Sequence, residues 1–233
     1  MTQNEQRAQK GGSERHRLKV IGITGGVGAG KSEVLKLLEE CSDSCILKAD
    51  EAAHEVENRE CRKKLTALLS EDILSGDGTI DKRRMAEKIF ADESLLEKVN
   101  AIVHPAVKSY ILSRIEEERK KGEADYFFIE AALLIEDGYE LICDELWYVY
   151  ADEDVRRKRL KGSRGYCDEK TDSIMKAQNT DEVFRNHCSV VIDNSGDLSD
   201  TKRQIMAILS ERHEQVHAEA HVPQAVRRRP GCE

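Results

Sequence analysis

The sequence lacks a long apolar run and an apolar leader. No stretch approaches the roughly 20 apolar residues that a membrane-spanning helix requires. The first residues are polar, so we expect a cytoplasmic protein without membrane partners. The formal net charge of -8 offers no long-range attraction to nucleic acid, so we expect no nucleic-acid partner either.

No Cys-x-x-Cys pair occurs, although the chain contains seven cysteines. The cysteines are scattered, and their spacing fits neither a zinc site nor a disulfide framework. We therefore expect free thiols. The sequence also contains no internal repeat.

What is present indicates an α/β protein. Hydrophobic residues make up 39% of the chain and charged residues 35%, which is enough for a core with a heavily solvated surface. Short apolar runs predict strands at 18–24, 45–50, 125–134, 144–152 and 189–196. Helical patterns lie between them, at 31–40, 51–120, 152–165 and 197–220, with a turn at 75–79.

Strands that alternate with helices predict a parallel sheet covered by helices on both faces, a three-layer α/β/α fold. Such sheets bind ligands at the carboxyl ends of their strands. The residues expected at that edge are Gly25, Asp50, the segment 130–134, Asp152 and Asp193.

One loop carries a complete Walker A pattern, Gly-x-x-x-x-Gly-Lys-Ser, between a predicted strand and a predicted helix. Its glycines allow the backbone N–H groups to surround an anion, assisted by the helix N-terminus. Lys31 is expected to reach the β- and γ-phosphates, and the Ser32 hydroxyl to hold Mg²⁺. The predicted nucleotide-binding residues of this loop are Gly25, Gly26, Val27, Gly28, Ala29, Gly30, Lys31 and Ser32.

A protein with a nucleoside triphosphate site can belong to one of three functional classes: a GTPase switch, a mechanical or transport ATPase, or a small-molecule kinase. The Asp193-Asn-Ser-Gly196 turn imitates one GTPase element but comes too late, and no Asn-Lys-x-Asp sequence exists. The Leu-Ser-Gly-Gly-Gln signature of transport ATPases is also missing. A kinase requires a base near the acceptor hydroxyl and mobile cationic side chains near the γ-phosphate. The sequence contains candidates for both.

Asp50, at the end of the second predicted strand, is one such candidate. A carboxylate there can accept a hydroxyl proton while orienting the oxygen for in-line attack. The same residue can instead cap the following helix, and the two roles are compatible. The arginines of the basic 152–165 helix can form a solvated face or a lid that carries guanidinium groups to phosphate.

The motifs "IGITGGVGAGKSEV", "ADEAAHEV", "IVHPAV", "ALLIE", "RLKGSRG" and "VIDNSGD" follow one another in this order. The set resembles the dephospho-CoA kinase family over roughly residues 18–212. The resemblance implies a P-loop kinase fold with a helical substrate-binding insertion and a helical lid. It also implies transfer of the ATP γ-phosphate to the ribose 3′-hydroxyl of dephospho-CoA, with Mg²⁺.

The resemblance also implies residue roles. Asp50 would be the general base, with Lys31 and Arg164 also catalytic. Arg159, Asn194 and Gly196 would join the ATP site. The implied acceptor-binding residues are Asp50, His104, Leu133, Leu134 and Glu136.

Three positions depart from the common family pattern. Lys48 replaces a frequent aspartate, which leaves Asp50 as the single carboxylate at that strand end. Ala132 replaces a frequent proline, which affects the shape of the acceptor loop. Lys82 replaces a common arginine, which keeps the charge but loses bidentate geometry.

The predicted organisation has three parts. Residues 1–17 are expected to be a disordered leader, residues 18–212 the kinase domain, and residues 213–233 a helix end and disordered tail. Within the domain, the insertion covers about 52–120 and the lid about 153–180. We expect a monomer or a weak homo-oligomer.

The sequence His213-Glu-Gln-Val-His217 matches a zinc-protease pattern, and His221 adds a third histidine. On a helix all three lie on one face. A zinc protease needs this helix in a cleft with a placed third ligand. Because the segment is the polar end of the last helix, we interpret the match as coincidental.

Overall fold

The computed structural model describes residues 18–220, without the side chains of residues 91, 93 and 213–220. Five strands form one sheet in the order β2-β3-β1-β4-β5. The predicted parallel α/β fold is thus confirmed. The strands are β1 (Lys19–Thr24), β2 (Ser44–Lys48), β3 (Tyr126–Glu130), β4 (Glu145–Tyr150) and β5 (Val190–Asp193).

The helices between these strands confirm the alternation predicted from the sequence. They are α1 (Lys31–Cys41), α2 (Ala49–Val56), α3 (Arg62–Leu69), α4 (Lys82–Ala91), α5 (Glu93–Lys121), α6 (Glu153–Arg164), α7 (Asp168–Lys176), α8 (Asp181–His187) and α9 (Leu198–Ala220). A π-helical segment, Glu57–Cys61, joins α2 to α3, and short 3₁₀ turns cover Glu71–Ile73 and Tyr139–Leu141. In the described residues, no helix is both long enough and apolar enough to cross a membrane.

The chain divides into two compact units. The first comprises the described residues up to Gly22 together with Asp43–Ala131 and Gly138–Asp144. Here β2 pairs with β3 in parallel, so that Lys48 lies opposite Glu130. The segment predicted as the helical insertion, about 52–120, also belongs to this unit, and α5 packs against α2.

Helix α5 shows why this segment is helical. Asp92 caps its start by accepting a hydrogen bond from the Ser94 N–H, at 2.9 Å. Its apolar positions Ile111 and Ile115, four residues apart, are fully buried. Gly122 ends the helix in the left-handed conformation, at φ 66°.

The second unit comprises Ile23–Ser42, Ala132–Asp137 and the described residues from Glu145 onward. Strands β4 and β5 pair in parallel, with Tyr150 opposite Asp193. Trp147 and Ile192 are fully buried in its core. Helix α6 ends at Gly165 in the left-handed conformation, as the basic helix was predicted to do.

Four predicted strands extend past the observed strand ends, and two of them, 144–152 and 189–196, do so at β4 (Glu145–Tyr150) and β5 (Val190–Asp193). The strand predicted at 45–50 ends at Lys48, because α2 already begins at Ala49. Acidic residues in a first helical turn are favoured by the helix dipole, and this turn contains Asp50 and Glu51. The strand predicted at 125–134 ends at Glu130, and turns follow it.

Several predictions fall outside the described residues. The leader 1–17 and the tail beyond residue 220, including His221, are among them. The backbone of α9 does extend to Ala220. The side chains of His213 and His217 are not described, so the interpretation of the His-Glu-x-x-His match stays a prediction.

The π-helical segment contains a buried carboxylate. Glu57 is only 8% exposed, and its Oε2 atom has no hydrogen-bond partner among the described residues. The His54 imidazole lies close by, with Nδ1 3.9 Å from Oε2. Burial raises the pKa of Glu57, although Lys82 and His54 act in the opposite direction.

This burial predicts a pH-dependent effect of Glu57→Gln on stability. The folded carboxyl keeps its proton above the ordinary pKa near 4.5, where the unfolded chain has lost it. The free energy of unfolding of the parent chain therefore falls as pH rises through this window, whereas the variant lacks the effect. We expect the variant's relative stability to increase by on the order of 1 kcal/mol between about pH 5 and about pH 8.

Urea denaturation at the two pH values measures the difference. Glu60→Gln is the matched control, because Glu60 is exposed on the same π-helical segment. Its difference from the parent should not change with pH. A pH-independent difference for Glu57→Gln would contradict the assignment of a penalised buried carboxylate.

Candidate functional site

The predicted phosphate loop lies in the second unit, between the end of β1 at Thr24 and the start of α1 at Lys31. Gly25, Gly28 and Gly30 have φ angles of 148°, 84° and 90°, which side chains with a Cβ rarely adopt. A Cβ on Gly25 would also clash with the carbonyl oxygen of Val149 on β4. The loop thus depends on glycine for its path.

The lysine of the motif folds back onto its own loop. Lys31 Nζ donates a hydrogen bond to the Gly25 carbonyl oxygen, at 2.8 Å. The Ala29 N–H donates to the Gly26 carbonyl, at 3.1 Å, which closes a tight turn within the loop. This places the ammonium group where it can exchange a carbonyl acceptor for a phosphate oxygen.

Two predicted ATP-site residues hold the second half of the loop. Asn194 is 1% exposed, and its Nδ2 donates to the Ala29 carbonyl oxygen, at 2.8 Å. Arg159 donates to the same oxygen, at 3.2 Å, and to the Asn194 carbonyl, at 2.8 Å. Thr201 fixes the orientation of the Asn194 amide by donating to its Oδ1, at 3.0 Å. A Cβ on Gly30 would clash with the Asn194 Nδ2.

The first half of the loop has two partners that the sequence analysis did not assign. Arg156 Nε donates to the Val27 carbonyl oxygen, at 2.9 Å. The Gln178 Oε1 atom accepts from the Val27 N–H, at 3.0 Å. Arg156 was visible in sequence only as one member of a basic run, and nothing in the pattern marks Gln178.

The arginines of α6 therefore differ in their contacts. Arg157 pairs with Glu153 at 2.7 Å and Asp172 at 2.6 Å, which is a solvated structural contact. Arg164 is exposed at the end of the helix, with its guanidinium 5.9 Å from the Tyr166 ring centroid. Arg159 contacts the phosphate loop, whereas the described contacts of Arg164 are local to the helix end.

The segment predicted to line the acceptor pocket also lies in the second unit, but in turns rather than in a strand. Leu134 is fully buried, whereas Leu133 is 53% exposed. Glu136 Oε1 accepts a hydrogen bond from Asn179 Nδ2, at 2.7 Å. Leu133 and Glu136 are thus the more accessible members of this predicted set, and Leu134 packs in the interior.

The loop after β5 is built by short polar contacts. The Asp193 carboxylate accepts from the Ser195 N–H, and Ser195 Oγ accepts from the Asp152 N–H, both at 2.9 Å. Gly196 does not have a positive φ, and the atom nearest to a Cβ there would be 3.9 Å away. The structure therefore gives no conformational reason for a glycine at position 196.

Asp50 belongs to the first unit and is exposed in the first turn of α2. It is not the helix cap: Lys48 occupies that position without a side-chain cap hydrogen bond. The capping interpretation of Asp50 is therefore wrong, because α2 begins one residue before the aspartate. Lys48 instead bonds Glu51, at 2.9 Å, and leaves the Asp50 carboxylate outside that pair.

His104 lies half-buried on α5, followed by Pro105 within the helix, as the sequence predicts. In the same unit a cavity of about 180 Å³ opens beside β2. The polar residues that line it include Lys48, Glu51, Tyr110 and Arg114. Tyr110 Oη donates to Glu55, at 2.8 Å, which ties α5 to α2 at the cavity wall.

Ser32 is exposed in the first turn of α1, directly after Lys31. One hydroxyl oxygen beside a phosphate-binding loop fits Mg²⁺, which usually keeps several waters and takes its other ligands from substrate phosphates. Among the described residues, no group of three or more His, Cys, Asp or Glu side chains could hold a metal ion.

Comparison with known proteins gives one family. The family model described as dephospho-CoA kinase matches residues 19–200, a segment that contains every predicted site residue. Proteins named dephospho-CoA kinase from Dehalococcoides mccartyi and Geobacter sulfurreducens are each 33% identical to this chain. Each alignment covers 84% of this chain and 99% of the relative.

Solved structures agree at the level of the fold. The crystal structure of TT1252 from Thermus thermophilus matches with a TM-score of 0.70 and 31% identity, covering 83% of this chain and 97% of that one. Dephospho-CoA kinase from Campylobacter jejuni matches with a TM-score of 0.65 and 19% identity, covering 84% and 98%. The chain has this fold, Asn194 and Arg159 hold its glycine loop, and it aligns with its relatives along nearly their whole length. It therefore belongs to the dephospho-CoA kinase family.

Proposed function

We propose that this chain transfers the γ-phosphoryl group of ATP to the ribose 3′-hydroxyl of dephospho-CoA, giving coenzyme A and ADP. The observation that carries the proposal is the family match over residues 19–200, which spans both the phosphate loop and Asp50. The geometry of the loop supports the donor half, because its glycine conformations and its lysine suit polyphosphate.

On the donor side, Lys31 and the loop N–H groups contact the phosphates of ATP. Arg159 and Asn194 keep the loop in shape through the Ala29 carbonyl. Ser32 would hold Mg²⁺, which would supply positive charge to offset that of the phosphate oxygens when bound. We assign Arg164 to the lid at about 153–180, and Gly196 to the loop beside the nucleotide.

On the acceptor side, Asp50 takes the proton from the ribose 3′-hydroxyl as its oxygen attacks the γ-phosphorus. The bond from that phosphorus to the β–γ bridging oxygen breaks, and ADP leaves with the electron pair. Asp50 is exposed and outside the Lys48–Glu51 pair, which supports this role. His104, Leu133, Leu134 and Glu136 line or support the acceptor site, and the insertion at about 52–120 supplies part of it.

The acceptor is the first thing to test. ADP release is measured with ATP and Mg²⁺ and each of four conditions: dephospho-CoA, nucleosides, nucleoside monophosphates, and no acceptor. We expect release that depends on dephospho-CoA. Release with a nucleoside or nucleotide alone would indicate a different kinase, release without any acceptor an ATPase, and no release a binding module.

Asp50→Asn should lower kcat by about 10²-fold or more, because the amide cannot accept the proton in the transition state. The Kd for ATP should change little. Asp43→Asn is the matched control, since Asp43 is exposed just before the other end of β2. Turnover within a few-fold of the parent for Asp50→Asn would exclude Asp50 as the base.

Ser32→Ala should raise the Mg²⁺ concentration required for half-maximal activity by roughly tenfold, because one protein oxygen ligand is lost. Titration of activity with Mg²⁺ at saturating ATP measures the shift. Ser42→Ala is the control: Ser42 lies past the other end of α1, where its hydroxyl donates to the Leu38 carbonyl, at 2.7 Å. An unchanged Mg²⁺ titration for Ser32→Ala would contradict its role as the metal ligand.

A further inference from the structure

Gln178 forms hydrogen bonds to both the phosphate loop and α6, and the proposed function above gives it no role. It lies half-buried, two residues after the last residue of α7, in the same unit as the phosphate loop. Its Oε1 atom accepts one hydrogen bond from the Val27 N–H and a second from Arg156 Nη2, both at 3.0 Å. One side-chain oxygen thus links the loop to α6.

Arg156 closes the bridge into a ring. Its Nε donates to the Val27 carbonyl oxygen, at 2.9 Å, so the N–H and the carbonyl of one loop residue are both held. The guanidinium lies directly against the loop, so close that a Cβ on Gly26 would clash with Nη2. Arg156, Gln178 and Val27 therefore form a closed hydrogen-bonded set, which we call the loop clamp.

The partners of Arg156 in the loop clamp are neutral. A backbone carbonyl and a carboxamide oxygen accept its hydrogen bonds, and burial lowers the pKa of the guanidinium. The neighbouring Arg157 is the opposite case, since two carboxylates pair with it. A cation that neutral acceptors hold retains its charge for another anion, and a planar guanidinium suits phosphate oxygens.

We propose that Gln178 is a positioning residue for phosphoryl transfer. In this inference, which rests on the proposed function, Gln178 fixes the Arg156 guanidinium against the first half of the phosphate loop. Arg156 then stabilises negative charge on the transferring phosphoryl group. The carboxamide suits the task because it accepts two hydrogen bonds without neutralising the guanidinium.

Kinetics of single and double variants test the coupling. We expect Arg156→Ala to lower kcat by about 10²-fold and Gln178→Ala by roughly tenfold, with the KM for dephospho-CoA unchanged. In the Arg156→Ala background, Gln178→Ala should cost less than about twofold more. Lys158→Ala removes an exposed charge from the same helix and should leave kcat within about twofold of the parent. Effects that simply multiply would overturn the inference.

Gln178→Glu separates positioning from mere structure. A carboxylate keeps both hydrogen bonds but pairs with the guanidinium, so kcat should fall roughly tenfold while the thermal midpoint stays at or above that of the parent. A purely structural role would be satisfied by glutamate. Parent-like kinetics in this variant would overturn the inference.

Amide exchange tests the loop clamp without any acceptor. In the nucleotide-free chain, NMR should show the Val27 amide exchanging at least about tenfold faster in Gln178→Ala than in the parent and in Lys158→Ala. Equal exchange rates would overturn the inference even if dephospho-CoA is the acceptor. If instead another acceptor gives ADP release, the proposed function fails, and the same kinetic comparison then decides the inference with that acceptor.

Discussion

The donor half of the molecule depends on how one backbone carbonyl is held. The Ala29 oxygen accepts hydrogen bonds from the buried Asn194 amide and from the Arg159 guanidinium. These contacts come from the loop after β5 and from α6, and they fix the loop just before Gly30 and Lys31. The glycine at position 30 is required twice, for its φ of 90° and for the close approach of Asn194. The conformation of the loop thus relies on side chains distant in sequence.

The first unit contains two carboxylates in contrasting surroundings. Asp50 remains exposed beside the Lys48–Glu51 pair, and Glu57 is buried with an oxygen that lacks a hydrogen-bond partner among the described residues. Burial of the Glu57 carboxylate costs stability, and groups whose pKa values burial shifts are often found at functional sites. An acceptor site in this unit is consistent with that pattern.

Much of the fold and the family could be predicted from the sequence. Local patterns fix the glycine loop, the alternation of strands and helices, and the end of α6 at Gly165. Strand ends were less predictable, since Ala49 and Asp50 join α2 through the favourable first turn of a helix. The role of Gln178 could not be predicted, because its contact with Val27 joins residues 151 positions apart. The basic run likewise did not show which arginine reaches the loop.

The most direct test of the central claim follows the transferred group itself. ATP labelled at the γ-phosphate is incubated with the chain, Mg²⁺ and dephospho-CoA, and the products are separated and located by mass spectrometry. If the chain transfers the γ-phosphoryl group as proposed, the label appears as a monoester on the ribose 3′-oxygen, in equal amount to the ADP formed. Label recovered as inorganic phosphate, or on any other oxygen of the acceptor, would contradict it.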